Sequence, residues 1–176
     1  MKELIKIGRK MSYLLRHNPE DLSMDKNGWV KVSELLNKLN ITASTLDSIV
    51  DTNDKKRYIY NDDKTLIRAN QGHSVNVDVE LEEKIPPVVL YHGTSPNFIN
   101  SILKSGLSKM NRQHVHLSSD IETALNVGQR HSKRNKPEVL VIDCKSMVKD
   151  GYKFYISNNG VWLTDHIPNK YLSLWE

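Results

Sequence analysis

Over the first seventeen residues, apolar positions recur at Leu4, Ile7, Met11 and Leu14, the i, i+3, i+7, i+10 spacing of one helix face. Asn18-Pro19 ends the pattern, because proline disfavours helix in the residue before it. A first helix to about His17 is expected. The turn signal Asp25-Lys26-Asn27-Gly28 then leads into Trp29-Val30, a short strand, and Ser33 is placed to cap a second helix over Glu34 to Leu39. Thr42 or Ser44 can cap a third through Leu46, Ile49 and Val50. Arg57–Tyr60 and Thr65–Arg68 flank the polar stretch Asn61–Lys64, which predicts a β-hairpin. Three helices followed by a hairpin is the order of a winged helix.

From Asn76 to Lys84, Val77, Val79 and Leu81 alternate with polar and acidic residues, and Pro86-Pro87 then stiffens the chain. A boundary is expected there, giving lobes of residues 1–85 and 86–176. In the second lobe, β-type runs at Val88–Tyr91, His114–Leu117, Val139–Asp143, Tyr152–Tyr155 and Val161–Leu163 are interspersed with helix-like pieces at Asn97–Ser105 and Ile121–Gly128. The class predicted for the chain is mixed α+β.

Composition adds a few bounds. At 176 residues the chain suits one large domain or two small ones, and 38% hydrophobic with 26% charged residues is ordinary for a folded protein with a real core. No apolar run approaches the roughly 20 residues of a membrane span, and no secretory signal opens the chain, so a cytoplasmic protein without a membrane partner is expected. The only cysteine, Cys144, lies in an apolar run, which excludes an intramolecular disulfide and a cysteine metal cluster and predicts a buried, inert thiol. The net charge of +4 is uneven: residues 1–85 carry 14 basic and 14 acidic side chains, residues 86–176 carry 11 and 7. Much of the excess is the run Arg130, Lys133, Arg134, Lys136, which suits either a polyanion such as RNA or plain solvation.

Neither GxGxxG nor GxxxxGK[ST] occurs, which argues against a Rossmann site and a P-loop. Val88–Tyr91 runs directly into His92-Gly93-Thr94, where glycine would let the backbone approach a ligand at the end of a strand. Taken alone, that triplet is better explained as a strand-to-turn exit. His114 and His116 share one strand face but lack a third ligand at a recognisable spacing, so no metal site is expected. Trp162 and Trp175 read as core aromatics.

The order of motifs changes the weight of these fragments. His92-Gly93-Thr94, Ile102–Leu107, His114–Ser118, Val127–His131, Gly160–Thr164 and Ile167-Pro168 resemble the NAD-binding lobe of the RNA 2′-phosphotransferase family. Tyr13–Pro19, Gly28–Val30 and Ile67–Ser74 look like that family's RNA-binding lobe. The resemblance implies a winged-helix-like RNA lobe joined to an ADP-ribosyltransferase-like NAD lobe, and a reaction centre of Arg16, His17, Arg68 and Arg130. Guanidinium groups suit the substrate, because a phosphomonoester of about −1.5 to −2 charge is gripped by rigid, two-pronged donors better than by lysine point charges. His17 is suited either to moving a proton or to orienting the phosphate.

NAD is implied as a co-substrate, with His92, Gly93 and Thr94 lining the nicotinamide-ribose region and His116 and Ser118 nearby. His92, His116 and Val161 resemble the three signature positions of ADP-ribosyltransferases, where protein-modifying members carry Glu in place of Val161. An anionic phosphate needs no base to become a nucleophile, so Val161 fits an internal RNA 2′-phosphate as acceptor. The implied products are 2′-OH RNA, nicotinamide and ADP-ribose 1″,2″-cyclic phosphate. The alternatives are an ADP-ribosyltransferase acting on a nucleic-acid end phosphate or a protein, and a non-enzymatic winged-helix binder, which the neutral first lobe argues against. A monomer is favoured.

Overall fold

A computed structural model describes residues 2–53, 55–132 and 135–176, and the chain divides into two compact units, Met1–Glu80 and Leu81–Glu176. Among the described residues, no helix is long and apolar enough to cross a membrane.

The first unit begins with helix α1 (Lys2–Arg16), followed by strand β1 (Val30–Lys31), helices α2 (Val32–Leu39) and α3 (Ala43–Asp51), and strands β2 (Tyr58–Tyr60) and β3 (Leu66–Ala69). The strands form a sheet of order β1-β3-β2, antiparallel throughout. Met11, Leu14 and Leu15 of α1 pack with Leu35, Leu46, Ile49, Val30 and Ile67 into one core. Expectation and structure differ at α2. Ser33 does not cap it; the helix springs directly off β1 with Lys31 at the cap position, and the Val32 N–H donates to the Thr65 carbonyl instead. At α3 Thr42 is the cap, its hydroxyl accepting from the Thr45 N–H.

The second unit opens with β4 (Glu82–Glu83), β5 (Val89–Thr94), α4 (Pro96–Ser105), β6 (Leu107–Ser108), β7 (Val115–Leu117) and α5 (Ile121–Ser132). It continues through β8 (Glu138–Asp143), α6 (Cys144–Lys149), β9 (Tyr155–Ile156), β10 (Trp162–Thr164), β11 (His166–Ile167), a 3-10 turn at Asn169–Tyr171, and β12 (Leu172–Leu174). Two antiparallel sheets, β12-β8-β5 and β4-β9-β10-β7, are stitched by a bridge between Tyr91 and Ser118, and β11 and β6 form a separate pair. Leu90, Leu140, Ile142, Phe154, Trp162 and Met147 fill the core. Because Glu82-Glu83 pairs with Tyr155-Ile156, the segment ahead of Pro86-Pro87 belongs to this unit.

Two glycines determine how α5 lies on β5. A Cβ on Gly93 would sit 1.7 Å from the Ala124 carbonyl oxygen, and one on Gly128 would sit 2.8 Å from the Pro137 side chain and 3.0 Å from the Thr94 nitrogen. Helix and strand therefore touch backbone to backbone. This corrects one expectation: Gly128 is a packing position inside a helix that runs on to Ser132, not its end. His92-Gly93-Thr94 forms the last part of β5, paired with Leu140, Val139 and Glu138, and the side-chain direction of Gly93 is taken by α5.

Candidate active site

In the first unit, the end of α1, the turn before β1 and the segment after β3 converge. Arg16 is the last residue of α1, and its carbonyl accepts from the N–H groups of Ser74 and Val75, which ties residues 70–75 to the helix end. His17 follows on the surface, with Nδ1 3.0 Å from the Ser74 hydroxyl. Arg68 leaves β3 with only 6% of its surface exposed. Its guanidinium lies over the Trp29 ring at 4.5 Å and donates to the Asn27 carbonyl and to Glu80, each at 3.2 Å. Gly28, at φ +81°, allows the turn that presents both Asn27 and Trp29, and Asp25 braces it by accepting from the N–H groups of Asn27 and Trp29. Nε of Arg68 is buried and finds no hydrogen-bond partner among the described residues.

Between these groups lies His73, 1% exposed, with neither ring nitrogen hydrogen-bonded among the described residues. Burial, reinforced by the charges of Arg16, His17 and Arg68, pushes its pKa down to about 4. His73 thus marks the spot where the fields of the three predicted residues of this unit overlap. A buried guanidinium with an unsatisfied donor, beside an arginine and two imidazoles, gives this cluster the chemistry to attract an anion.

In the second unit, β5, β7 and the start of β10 bring all the remaining predicted residues except Arg130 onto or beside neighbouring strands. His92 and Thr94 lie on β5, and His116 on β7 is paired with Leu163 of β10. Ser118 bridges to Tyr91, and Val161 immediately precedes Trp162, the partner of Leu117. Nδ1 of His92 donates to the His116 carbonyl at 3.0 Å, and Nδ1 of His116 to the His114 carbonyl at 3.1 Å. A carbonyl can only accept, so in both contacts Nδ1 carries a proton. Burial holds the pKa of His92 below its usual value, offset in part by the His116 carbonyl and assisted by the charges of His131 and Arg112. Arg130 lies exposed in the last turn of α5, next to His131. Of the basic run around it, Lys133 and Arg134 lie outside the described residues.

Several neighbours of these residues were not singled out from sequence. Ser74 and His73 sit inside the motif Ile67–Ser74, and Trp29 inside Gly28–Val30, so those motifs were the available signal. Glu80 and Arg112 carried none.

The model of the family described as RNA 2′-phosphotransferase, Tpt1 / KptA family, matches residues 2–166. The chain belongs to that family. It is 52% identical over 175 residues to a "Probable RNA 2'-phosphotransferase" of Fusobacterium nucleatum subsp. nucleatum, covering 96% of this chain and 97% of the relative. A protein of the same description from Flavobacterium johnsoniae is 50% identical over 173 residues, 94% of this chain and 93% of the relative. One from Trichormus variabilis is 47% identical over 177 residues, with 97% and 96% covered. The family is one of enzymes, transferases by name, acting at a 2′-phosphate of RNA.

Proposed function

We propose that this protein removes an internal 2′-phosphate from RNA by passing it to ADP-ribose drawn from NAD, with a winged-helix-like first unit holding the RNA and an ADP-ribosyltransferase-like second unit holding NAD. The observation that carries the reading is Arg68: a guanidinium buried to 6% exposure, lying over Trp29 at 4.5 Å, with Nε unsatisfied among the described residues, beside a buried His73 that also feels the charges of Arg16 and His17. Such a group is pre-ordered for a dianion and costs little further entropy on binding it. Arg130, the fourth residue that the family resemblance implies, lies near the end of a helix whose placement depends on Gly93 and Gly128.

NAD suits the second unit on chemical grounds. The His92 imidazole, held below its usual pKa with Nδ1 donating to the His116 carbonyl, suits a ribose hydroxyl at Nε2, and His116, Thr94 and Ser118 add polar groups on or beside the same strands. Arg112 and His131, whose charges reach His92, suit the pyrophosphate. Val161 leaves no carboxylate at the position where protein-modifying relatives keep one. In the first step an oxygen of the RNA 2′-phosphate forms a bond to the anomeric carbon of the nicotinamide ribose as the bond to nicotinamide breaks. The arginines hold that oxygen in line. In the second, the 2″-hydroxyl of the joined ADP-ribose attacks phosphorus and loses its proton, the bond to the RNA 2′-oxygen breaks, and that oxygen is protonated. RNA with a 2′-OH and ADP-ribose 1″,2″-cyclic phosphate leave, and the arginines stabilise charge on the phosphoryl oxygens throughout. His17, held at Nδ1 by Ser74, is placed to move the proton or to orient the phosphate.

Counting nicotinamide tests this. One nicotinamide should appear for each 2′-phosphate removed from a synthetic RNA, and none with the same RNA lacking the 2′-phosphate. Removal of phosphate without NAD would overturn the reading. Stable label from NAD left on the acceptor would indicate the alternative, an ADP-ribosyltransferase.

A further inference from the structure

The first unit is close to neutral as a whole, yet its charges are segregated. Within α1, Lys2, Lys6, Arg9, Lys10 and Arg16 stand against the single acid Glu3, and the acidic residues collect in the remainder of the unit. The segregation continues in the pairing. Lys31 is bound to Glu34, Lys38 to Glu20 and Asp21, and Lys64 to Asp47. No ion pair or hydrogen bond among the described residues engages the side chains of Lys6, Arg9 or Lys10.

The helix period places these cations together. At about 100° per residue, Lys6, Lys10, Tyr13 and His17 fall in one narrow stripe, with Arg9 and Arg16 along its flank. The adjoining face, centred about 115° away at roughly 100° per residue, carries Ile7, Met11, Leu14 and Leu15 into the core. Lys6, Arg9, Lys10, Tyr13 and His17 are all exposed. Tyr13 keeps 50% of its surface open, and its ring is tilted against that of His17 at 6.1 Å between centroids. The stripe therefore begins with unneutralised cations, passes an open aromatic ring and ends at two residues of the candidate active site. From Lys6 to His17 it spans about 16 Å, at roughly 1.5 Å per residue. That is the length of about five stacked nucleotides at roughly 3.4 Å each.

The geometry points to this face of α1 as the track for the single-stranded RNA that flanks the 2′-phosphate, with Lys6, Arg9 and Lys10 on successive backbone phosphates and Tyr13 stacking on a base next to the reacting nucleotide. The assignment rests on the proposed reaction at RNA. Its physical basis is that of sequence-tolerant single-strand binding: a cationic groove or stripe neutralises the backbone while an aromatic face accepts any base. The near-neutral total of the unit is no obstacle, since at physiological salt a charge is felt over only about 8 Å, and Glu3, at the start of the stripe, is the one acid on α1.

The test is binding of an unmodified single-stranded RNA of about twelve nucleotides, long enough to cover the stripe, followed by fluorescence anisotropy over a series of salt concentrations. Replacing Lys6, Arg9 and Lys10 together by Gln keeps helix propensity while removing the charges. The account expects binding at least about tenfold weaker, and a log Kd against log salt slope shallower by about 0.7 for each phosphate no longer neutralised. Tyr13→Ala should weaken binding about tenfold with the slope unchanged, because stacking carries no counterions. A control with Lys31, Lys38 and Lys64 replaced by Gln, cations already paired within the unit, should stay within about twofold of wild type. Wild-type affinity and slope in the α1 triple variant would overturn the track, as would an equal loss in the control. Turnover of a dinucleotide with one internal 2′-phosphate is measured alongside. If the dinucleotide reacts while the triple variant binds RNA normally, the track alone is wrong. If it does not react while RNA binding still depends on α1, the reaction is wrong and the track stands.

Discussion

His73 offers the sharpest physical test of the cluster in the first unit. The ring is 1% exposed, lies in the field of Arg16, His17 and Arg68, and has its pKa pushed down to about 4. In the unfolded chain the same group titrates near 6.5. The folded-state pKa is the lower one, so the unfolded state binds more protons between these values. The associated stability is therefore intact above about pH 6.5 and is lost as pH falls toward 4. Near pH 7.5 both states are neutral and nothing is lost. Near pH 5 the unfolded ring is almost fully protonated and the folded one hardly at all, a penalty of about 2 kcal/mol. Urea unfolding of wild type and His73→Gln at both pH values measures it. Carboxylates elsewhere titrate equally in the two proteins, so the difference of differences isolates this ring. Wild type should lose about 2 kcal/mol more than the variant on acidification. NMR titration of the His73 ring in wild type gives a second reading that does not depend on the variant folding. Equal pH dependence in the two proteins, or a His73 resonance titrating near 6.5, would refute the claim that this imidazole is buried neutral among the cations.

Three further outcomes follow from individual contacts. Gly93→Ala would drive a methyl to 1.7 Å from the Ala124 carbonyl, backbone that cannot swing aside; it should cost about 3 kcal/mol or more, lowering the melting temperature of the second unit by roughly 12 °C or more, and a variant within about 2 °C of wild type would contradict the backbone contact of α5 with β5. Arg68→Lys should fold normally yet lose roughly 100-fold in turnover, because an ammonium lacks the planar fork that lets Arg68 lie over Trp29, donate to Asn27 and Glu80 from one nitrogen and still offer Nε to a phosphate oxygen; near-wild-type rates would remove Arg68 from the phosphate site. The Cys144 thiol is fully buried and its pKa is pushed up to about 12, so a thiol reagent near pH 8 should label it only after denaturation; rapid native labelling would contradict its place in the core.

Helix periodicity revealed most of the first unit, because α1 and α3 follow a clean apolar spacing and Thr42 is a capping residue in a capping position. It placed the start of α2 less well, since a helix that continues straight from a strand has its first N–H satisfied by Thr65, a tertiary contact no local signal announces. The second unit is built largely of strands two or three residues long, such as β4, β6 and β11, too short for alternation to be read. The six-residue helix α6 starts directly after the run read as strand and is too short to show a helical period. Gly128 looked like a helix end because glycine usually stops helices, and only the close approach of β5 explains it inside one. For the candidate site, ordered motifs pointed to Arg16, His17 and Arg68. Their supports, Ser74, Trp29 and Glu80, are long-range partners whose roles exist only once the chain has folded.

The fate of the phosphate bears most directly on the proposed reaction. A synthetic RNA with a radiolabelled internal 2′-phosphate, incubated with the protein and NAD, should pass its label to ADP-ribose as the 1″,2″-cyclic phosphate, because the tethered 2″-hydroxyl outcompetes water for phosphorus. Label recovered first as inorganic phosphate, or released equally well without NAD, would contradict the account.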